Sequence, residues 1–184
     1  MGRKIGLFGG SFDPVHLGHV ALVVHLLEAH QLDIVYIVPA SINPHKINSP
    51  ITSRHRLQML KKAFLSVPKC QILDLELKRK GPSYTIDTVL ELKKKGMVGP
   101  KDALFLLLGE DQLEGLNTWK EHKQLMALCT PLVARRKAAH SIVDMPYFDI
   151  SSTVVRKRLK KKQYCGHLLP KDVYNYILKQ KLYE

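Results

Sequence analysis

The sequence predicts one α/β domain over residues 1–184, built on a doubly wound, parallel, Rossmann-like sheet. Its apolar runs are short and largely lack polar alternation, which is typical of strands buried on both faces. Each of these runs is followed by a longer segment with helical spacing of apolar residues, and that alternation favours a parallel sheet covered by helices. The chain has 184 residues, 45% of them apolar, with no internal repeat and no linker, which fits one compact domain.

The first half of the chain alternates strand and helix. An apolar run predicts the first strand, and an almost wholly apolar segment predicts a deeply packed helix. Pro39 ends the second strand, and Leu57, Leu60 and Phe64 have the spacing of a helix face. In order, these segments are "KIGLFG", "LGHVALVVHLLEAHQ", "DIVYIVP" and "SRHRLQMLKKAFLS".

The second half continues the pattern. An alternating segment predicts a strand, the next helix is stopped by Gly96, and two apolar strands precede a closing helix. Ligands of such sheets bind at the carboxyl ends of the strands, where the strand order reverses. In order, these segments are "CQILDLEL", "SYTIDTVLELKKKG", "ALFLLLG", "TPLVA" and "KDVYNYILKQKLY".

Charge and cysteine content limit the class of protein. The chain carries 29 basic and 16 acidic residues, a net charge of +13, which attracts anionic partners. The lysines fall in separated clusters, which favours solvated helix faces over a nucleic-acid surface. Three widely spaced cysteines, Cys70, Cys129 and Cys165, exclude a disulfide framework and fit a reducing cytoplasm. No segment reads as a signal peptide or membrane span, so no membrane partner is expected.

A glycine turn follows the first strand. Gly9, Gly10 and Ser11 lead into a helix N-terminus, an arrangement in which backbone N–H groups and the helix dipole favour a phosphate. The G-x-x-x-x-G-K-[ST] and G-x-G-x-x-G patterns are both absent. The turn therefore indicates an anion site of a different kind from those two.

Two histidines follow this turn. His16 and His19 are three residues apart and share a helix face, and Gly18 between them would let a ligand come close. A metal pair is the alternative, but no third ligand stands nearby in the sequence. Asp13 is interpreted as turn chemistry with Pro14 in preference to a metal ligand.

A second phosphate-binding pattern lies near the end of the sequence. In "ISSTVVR", residues 150–156, three hydroxyl residues precede a helix and present a cap with exposed N–H groups. Arg156, one turn further, offers a planar fork for phosphate oxygens. Taken alone, the segment would be an ordinary cap before a basic helix.

The two patterns together, "GGSFDPVHLGH" and "ISSTVVR", resemble the paired signatures of the nucleotidyltransferase superfamily that carries the H/T-x-G-H motif. Further segments are similar to its nicotinate-nucleotide adenylyltransferase branch. They are "VPASINPHK", "SRHRLQML", "GPSYTIDTVLEL", "LGEDQLEGLNTWKEHKQL" and "LLPKDVYNYILKQKLY", in order along the chain. The resemblance implies transfer of AMP from ATP to nicotinate mononucleotide, with direct attack of the mononucleotide phosphate on the α-phosphorus. ATP as substrate in turn implies Mg²⁺, which commonly binds substrate phosphates, and no ligand cluster on the protein is expected to hold it.

The resemblance also implies roles for individual residues. The expected catalytic residues are His16, His19, Arg156 and Lys46. Those expected to bind ATP are Gly9, Gly10, Ser11, Phe12, Gly109, Asp111, Ser152 and Thr153, with Asp111 accepting from the ribose hydroxyls. Those expected to bind nicotinate mononucleotide are Asn43, Tyr84, Thr85 and Trp119.

Some features depart from the branch, and some alternatives stay open. Glu110 replaces a small residue, and the segment with Arg135 and Arg136 replaces arginine-proline-glycine, so the roles of these three residues are not assigned. A relative could transfer CMP or use another phosphate-bearing acceptor, although branches using phosphopantetheine carry Thr in place of His16. Class I aminoacyl-tRNA synthetases need a Lys-Met-Ser-Lys-Ser loop, which this sequence lacks. A basic nucleic-acid-binding module is the alternative from another class, and homo-oligomerisation stays open.

Overall fold

A parallel sheet forms the centre of the molecule in this computed structural model, which describes residues 2–42, 49–134 and 150–184. Within those residues the sheet has five strands in the order β3-β2-β1-β4-β5. All neighbouring strands are parallel, and β1 pairs with β2 on one side and β4 on the other. The strands are β1 (Lys4–Gly10), β2 (Ile34–Pro39), β3 (Cys70–Ile72), β4 (Ala103–Gly109) and β5 (Thr130–Ala134).

Helices cover both faces of the sheet, as the sequence predicts. One apolar cluster joins the sheet to α1, α2, α7 and α8, and a second joins its other face to α4 and α6. The doubly wound α/β fold class is therefore confirmed. The helices are α1 (Leu17–Ala29), α2 (Ser53–Ala63), α3 (Leu75–Lys78), α4 (Thr85–Lys94), α5 (Glu110–Leu113), a 3₁₀ turn (Leu116–Thr118), α6 (His122–Leu128), α7 (Ser152–Lys160) and α8 (Lys171–Lys179).

Side-chain chemistry sets the ends of several elements. In α1 every residue before Glu28 is buried or half-buried, in keeping with its almost wholly apolar sequence. Pro39 is the last residue of β2, and Gly96, with φ of +69°, follows the end of α4. A positive φ is readily adopted by glycine, so the helix stops there without strain.

One predicted strand is shorter than the sequence suggests. The alternating segment "CQILDLEL" forms β3 only as far as Ile72, and its last part turns into the short helix α3. The turn buries Leu73 and Leu75 in the same apolar cluster and buries the Glu76 carboxyl as well. Alternation could not show this, because two leucines at positions i and i+2 fit a strand face equally well.

The strand order reverses beside β1. The chain passes from β1 outward to β2 and β3, then returns to place β4 on the other side of β1. This switch point opens a crevice between the carboxyl ends of β1 and β4, where Gly10 and Gly109 lie. Among the described residues, no helix has the length and apolar character needed to cross a membrane.

Candidate active site

Gly9 and Gly10, predicted to follow the first strand, are instead its last two residues, so the glycine turn (residues 9–12) begins at the end of β1. A Cβ atom at Gly10 would lie 3.0 Å from the ring of Phe12, whereas one at Gly9 would meet no atom within 4 Å. Phe12 is 2% exposed and has a left-handed φ of 49°. The buried ring therefore shapes the turn, and Gly9 leaves its backbone open to the crevice.

His16 and His19 form one unit at the start of α1. His16 is the N-cap, and its backbone N–H donates to Nδ1 of His19 over 3.2 Å. The two ring centroids are 3.7 Å apart, with an interplanar angle of 30°. Because Nδ1 of His19 accepts this hydrogen bond, a neutral His19 ring carries its proton on Nε2. The helix cap thus selects the tautomer that can donate to a ligand.

Aromatic packing holds the His19 ring. The Phe12 ring meets it edge to face at 5.2 Å between centroids, and the Phe8 ring lies at 6.1 Å. Both phenylalanines are buried. A ring held by two apolar neighbours and a cap hydrogen bond has few alternative rotamers, so its donor direction is fixed before a ligand arrives.

The second predicted phosphate motif docks on the first. Ser151 caps α7, its hydroxyl accepting from the backbone N–H of Val154 over 3.2 Å. The hydroxyl of Ser152 donates to the carbonyl of Pro14 over 2.9 Å. The N-terminus of α7 is therefore tied to the turn that leads into α1, although 138 residues separate the two partners.

Arg156 joins the same turn. One guanidinium nitrogen donates to the backbone carbonyl of Asp13 over 2.5 Å, and the other donates to the Thr153 hydroxyl over 3.3 Å. A guanidinium has five N–H donors, more than these two acceptors among the described residues can use. Arg156 is therefore positioned by the protein and keeps donors for a phosphate.

Arg56 is a contributor to this region that the sequence reasoning did not single out. It is 3% exposed and donates to the carbonyl of Ser11 over 2.7 Å and to that of Ser41 over 3.3 Å. Burial lowers the pKa of its guanidinium. The signal in the sequence was its place on the apolar face of α2, three and four residues before Met59 and Leu60.

Replacing Arg56 with methionine is expected to lower the free energy of unfolding by about 2–3 kcal/mol, because the backbone carbonyls of two half-buried serines lose a charged donor. Urea unfolding followed by circular dichroism measures this difference. The exposed Arg54 on the same helix provides the matched control Arg54→Met, for which we expect almost no change. Equal effects of the two substitutions would contradict a bridging role for Arg56.

An aromatic pocket opens beside the glycine turn. Tyr84 is the N-cap of α4, and the Lys120 ammonium lies 4.8 Å from the centre of the Tyr84 ring. Lys120 also pairs with Asp87 at 3.2 Å. The predicted residues Tyr84, Thr85 and Trp119 therefore lie together. The lining residues are Gly9, Gly10, Ala40, Glu76, Ser83, Tyr84, Thr85, Leu106, Leu107, Leu108, Gln112, Trp119 and Lys120.

Glu76 is a buried acid in the wall of this pocket. It is 6% exposed, and one carboxyl oxygen accepts from the Thr88 hydroxyl over 2.6 Å. Burial raises the pKa of Glu76 above its ordinary value, although the bonds from Thr88 and Ser83 and the charge of Arg79 act the other way. Folding therefore favours the protonated form of this residue.

The raised pKa of Glu76 gives a stability prediction with a definite sign. Its contribution is fully present below its ordinary pKa of 4.5 and is lost as pH rises through the folded-state pKa. Glu76→Gln keeps an acceptor for Thr88 and carries no charge. We therefore expect it to be more stable than the parent protein near neutral pH, with the difference vanishing below about pH 4.

Glu91 is the control for this pH dependence, because its pKa is shifted in the opposite direction from that of Glu76. The hydrogen bond from Arg79, at 2.6 Å, holds the pKa of Glu91 below its ordinary value. Glu91→Gln should therefore be less stable than the parent protein at neutral pH, and the difference should disappear in acid. Urea unfolding of both variants at several pH values measures the two trends, and a parallel response would contradict this account.

Gly109 and Asp111 lie at the end of β4, across the crevice from Gly10. A Cβ atom at Gly109 would lie 2.6 Å from Oδ1 of Asp111, so a side chain there would displace this carboxylate. The backbone N–H of Gly109 donates to the side chain of Gln112 over 3.2 Å. Glycine at position 109 thus leaves room for the Asp111 carboxylate at the end of β4, and the sequence predicts that this carboxylate accepts from the ATP ribose.

Four residues that the sequence singled out lie outside the described residues: Asn43, Lys46, Arg135 and Arg136. Asp13, interpreted from the sequence as turn chemistry, is buried and accepts a hydrogen bond from Tyr183. Within the described ranges, no three His, Cys, Asp or Glu side chains gather where they could hold a metal ion. The Asp13 carboxylate is turned to Tyr183 and Arg156, and the Arg156 guanidinium supplies the kind of donors that suit phosphate oxygens.

A glycine turn, a histidine pair and a docked arginine at the switch point of a parallel sheet define a nucleotide-binding α/β protein with an anionic ligand. Similarity to known proteins shows which family of nucleotide-binding proteins the chain belongs to. Residues 7–158 match the cytidylyltransferase-like family. The nicotinate-nucleotide adenylyltransferase of Bacillus subtilis (strain 168) is 38% identical over 190 residues, covering 99% of this chain and 99% of that relative.

Solved structures share the fold. The Plasmodium falciparum nicotinic acid mononucleotide adenylyltransferase complexed with NaAD has a TM-score of 0.77 and 19% identity, covering 98% of this chain and 97% of that one. The same enzyme complexed with APC has a TM-score of 0.73 and 18% identity, at the same coverage. The chain therefore belongs to the cytidylyltransferase-like family, in its nicotinate-nucleotide adenylyltransferase branch.

Proposed function

We propose that this protein transfers AMP from ATP to nicotinate mononucleotide, giving nicotinate adenine dinucleotide and pyrophosphate, the dinucleotide-forming step of NAD synthesis. The observation that carries the proposal is the docking of the Arg156 helix onto the glycine–histidine turn, beside an aromatic pocket. The turn and the docked helix would supply donors for a triphosphate, and the neighbouring pocket would bind a pyridine ring. Family membership supports the same reaction.

The reaction needs no protein nucleophile. An oxygen of the mononucleotide phosphate attacks the α-phosphorus of ATP, and the bond from that phosphorus to the bridging oxygen of pyrophosphate breaks. Such transfers depend on positioning and charge stabilisation. Nε2–H of His19, held in direction by the cap from His16, would donate to a phosphate oxygen as charge develops. The backbone of Gly9 and Gly10 and the start of α1 would bind the same phosphates.

Arg156 would bind the leaving pyrophosphate. Its guanidinium is held against the carbonyl of Asp13, three residues before His16. The charge of Arg156 and the Nε2 donor of His19 would therefore act on one triphosphate. Ser152 and Thr153 lie at the start of the same helix, whose dipole adds to the attraction. Mg²⁺ carried by the ATP phosphates would supply further charge neutralisation. Lys46 is proposed as an additional cation at the reacting phosphates.

The pocket of Tyr84, Thr85 and Trp119 would bind the nicotinate nucleotide. The Trp119 ring offers a stacking surface, and the N-terminus of α4 at Thr85 offers backbone N–H groups to the carboxylate. Lys120 adds a positive charge beside Tyr84. Asn43 is proposed to contact the same nucleotide, and Asp111 to accept from the ATP ribose.

Donor choice gives a direct test of the proposed function. We expect pyrophosphate release from Mg-ATP with nicotinate mononucleotide as acceptor, and far slower release when CTP replaces ATP. A coupled pyrophosphate assay measures both rates under one set of conditions. Faster release with CTP would overturn the adenylyl assignment while keeping nucleotidyl transfer. No release with either donor, from protein shown to be folded by circular dichroism, would overturn the proposed function.

A further inference from the structure

A tyrosine beyond the last helix reaches into the phosphate site. Tyr183 lies four residues after the end of α8 and is 6% exposed. Its hydroxyl donates to Oδ1 of Asp13 over 2.6 Å, across 170 residues of chain. Burial, and next the hydrogen bond to Asp13, raise the pKa of Tyr183, so the phenol keeps the proton that it donates.

Asp13 links this tyrosine to Arg156. Its Oδ2 lies 3.9 Å from the guanidinium of Arg156, while its backbone carbonyl accepts from the same nitrogen over 2.5 Å. The buried Arg56 on α2 is a further positive charge near the carboxylate. Asp13 is itself 6% exposed, so its charge is shielded from water and acts strongly on these neighbours.

The backbone is left-handed on both sides of this hydrogen bond. Phe12, next to Asp13, has φ of 49°, and Tyr183 has φ of 68°. Neither is glycine, and the left-handed conformation is unfavourable for a residue with a Cβ atom. The buried hydrogen bond between Asp13 and Tyr183 helps to offset that cost.

We infer that Tyr183 is a positioning residue for the phosphate-binding Arg156 and that it acts through Asp13. This inference rests on the proposed function. The phenol satisfies one carboxylate oxygen, and the other stays beyond hydrogen-bond distance of the guanidinium. Arg156 therefore remains fixed by the Asp13 carbonyl and keeps its charge available to pyrophosphate. Without the phenolic hydroxyl, a buried oxygen of Asp13 loses its donor. The carboxylate then draws the Arg156 guanidinium from 3.9 Å into direct hydrogen-bond contact.

Isothermal titration calorimetry with Mg-pyrophosphate tests the inference. It measures how Tyr183→Phe changes pyrophosphate affinity in the parent protein and in the Arg156→Gln variant. We expect Tyr183→Phe to weaken binding by roughly tenfold in the parent and to change it less than about twofold in Arg156→Gln, since residues acting as a unit are not additive. A similar loss in both backgrounds, or no loss in the parent, would overturn the inference.

Two controls separate positioning from folding. Tyr164 is 66% exposed, and its ring packs against His167 and Tyr174, so Tyr164→Phe removes a hydroxyl from the surface and should leave the affinity unchanged. Thermal unfolding of each variant shows whether the protein is folded at the titration temperature. Should Tyr183→Phe unfold there, the titrations of all variants are repeated at a lower temperature at which Tyr183→Phe is folded, and the same two results would overturn the inference.

The titration also separates this inference from the proposed function. Pyrophosphate binding needs no acceptor and no turnover, so it reports on Arg156 even if the acceptor is not nicotinate mononucleotide. Turnover of the parent with ATP and nicotinate mononucleotide tests the reaction itself. Active parent protein with Tyr183-independent pyrophosphate binding would remove the positioning role alone.

Discussion

Replacing His19 with alanine is expected to lower kcat/KM for ATP by about 10²–10³-fold, the usual loss when one preorganised donor to a developing charge is removed. The effect should be large because the ring is fixed by the cap from His16 and by Phe12, so no neighbouring group can easily take its place. Steady-state kinetics of pyrophosphate release measure it. The loss should fall mainly on kcat if the hydrogen bond strengthens as charge develops.

Two further variants separate the roles of the His19 ring. Asparagine at position 19 keeps an acceptor close to the position of Nδ1 but has no donor at Nε2, so His19→Asn should retain stability and lose activity. His30, exposed at the C-terminal end of the same helix, gives the control His30→Ala, which should keep full activity. An active His19→Asn would contradict the role of the Nε2 donor.

The second large effect is expected at Arg156. Arg156→Gln should lower kcat/KM for ATP by about 100-fold, because it removes the charge that is proposed to bind the leaving pyrophosphate. Arg156→Lys should recover only part of this, since an ammonium cannot reproduce the fork held between the Asp13 carbonyl and the ligand. Product inhibition by pyrophosphate should weaken in parallel, because the same group is proposed to bind the product.

Lys157 provides the matched control for charge at this helix. It is the next residue of α7 and is exposed. Lys157→Gln removes the same charge from the same helix, and we expect less than about a twofold change, the size of a screened surface effect. Comparable losses in Lys157→Gln and Arg156→Gln would show that net charge, and not the placement of Arg156, drives phosphate binding.

The sequence alone was enough for the sheet and for most of its helices. Continuous apolar strands such as "ALFLLLG", and terminators such as Pro39 and Gly96, are local signals, and the structure confirms the elements that they predict. The segment containing Leu73, Leu75 and Glu76 was predicted less well. Its path depends on a buried contact with Thr88 from another helix, which no local pattern reveals.

The site was predicted in part. Glycines, histidines and the hydroxyl–arginine segment are visible as motifs, and the structure brings His19 and Arg156 to the same turn. The supporting groups were not visible. Arg56 resembles any charged residue of an amphipathic helix, and the hydrogen bond from Tyr183 to Asp13 joins residues 170 positions apart. Such partners are set by tertiary packing, which a linear pattern does not encode.

Adenylyl transfer to an acidic pyridine mononucleotide can be tested in one competition assay. The purified protein is given Mg-ATP and an equimolar mixture of nicotinate and nicotinamide mononucleotides, and the dinucleotide products are separated by anion-exchange chromatography. We predict nicotinate adenine dinucleotide in clear excess, with His19→Ala giving little of either product. An excess of the amide dinucleotide, or no dinucleotide from folded protein, would contradict the account.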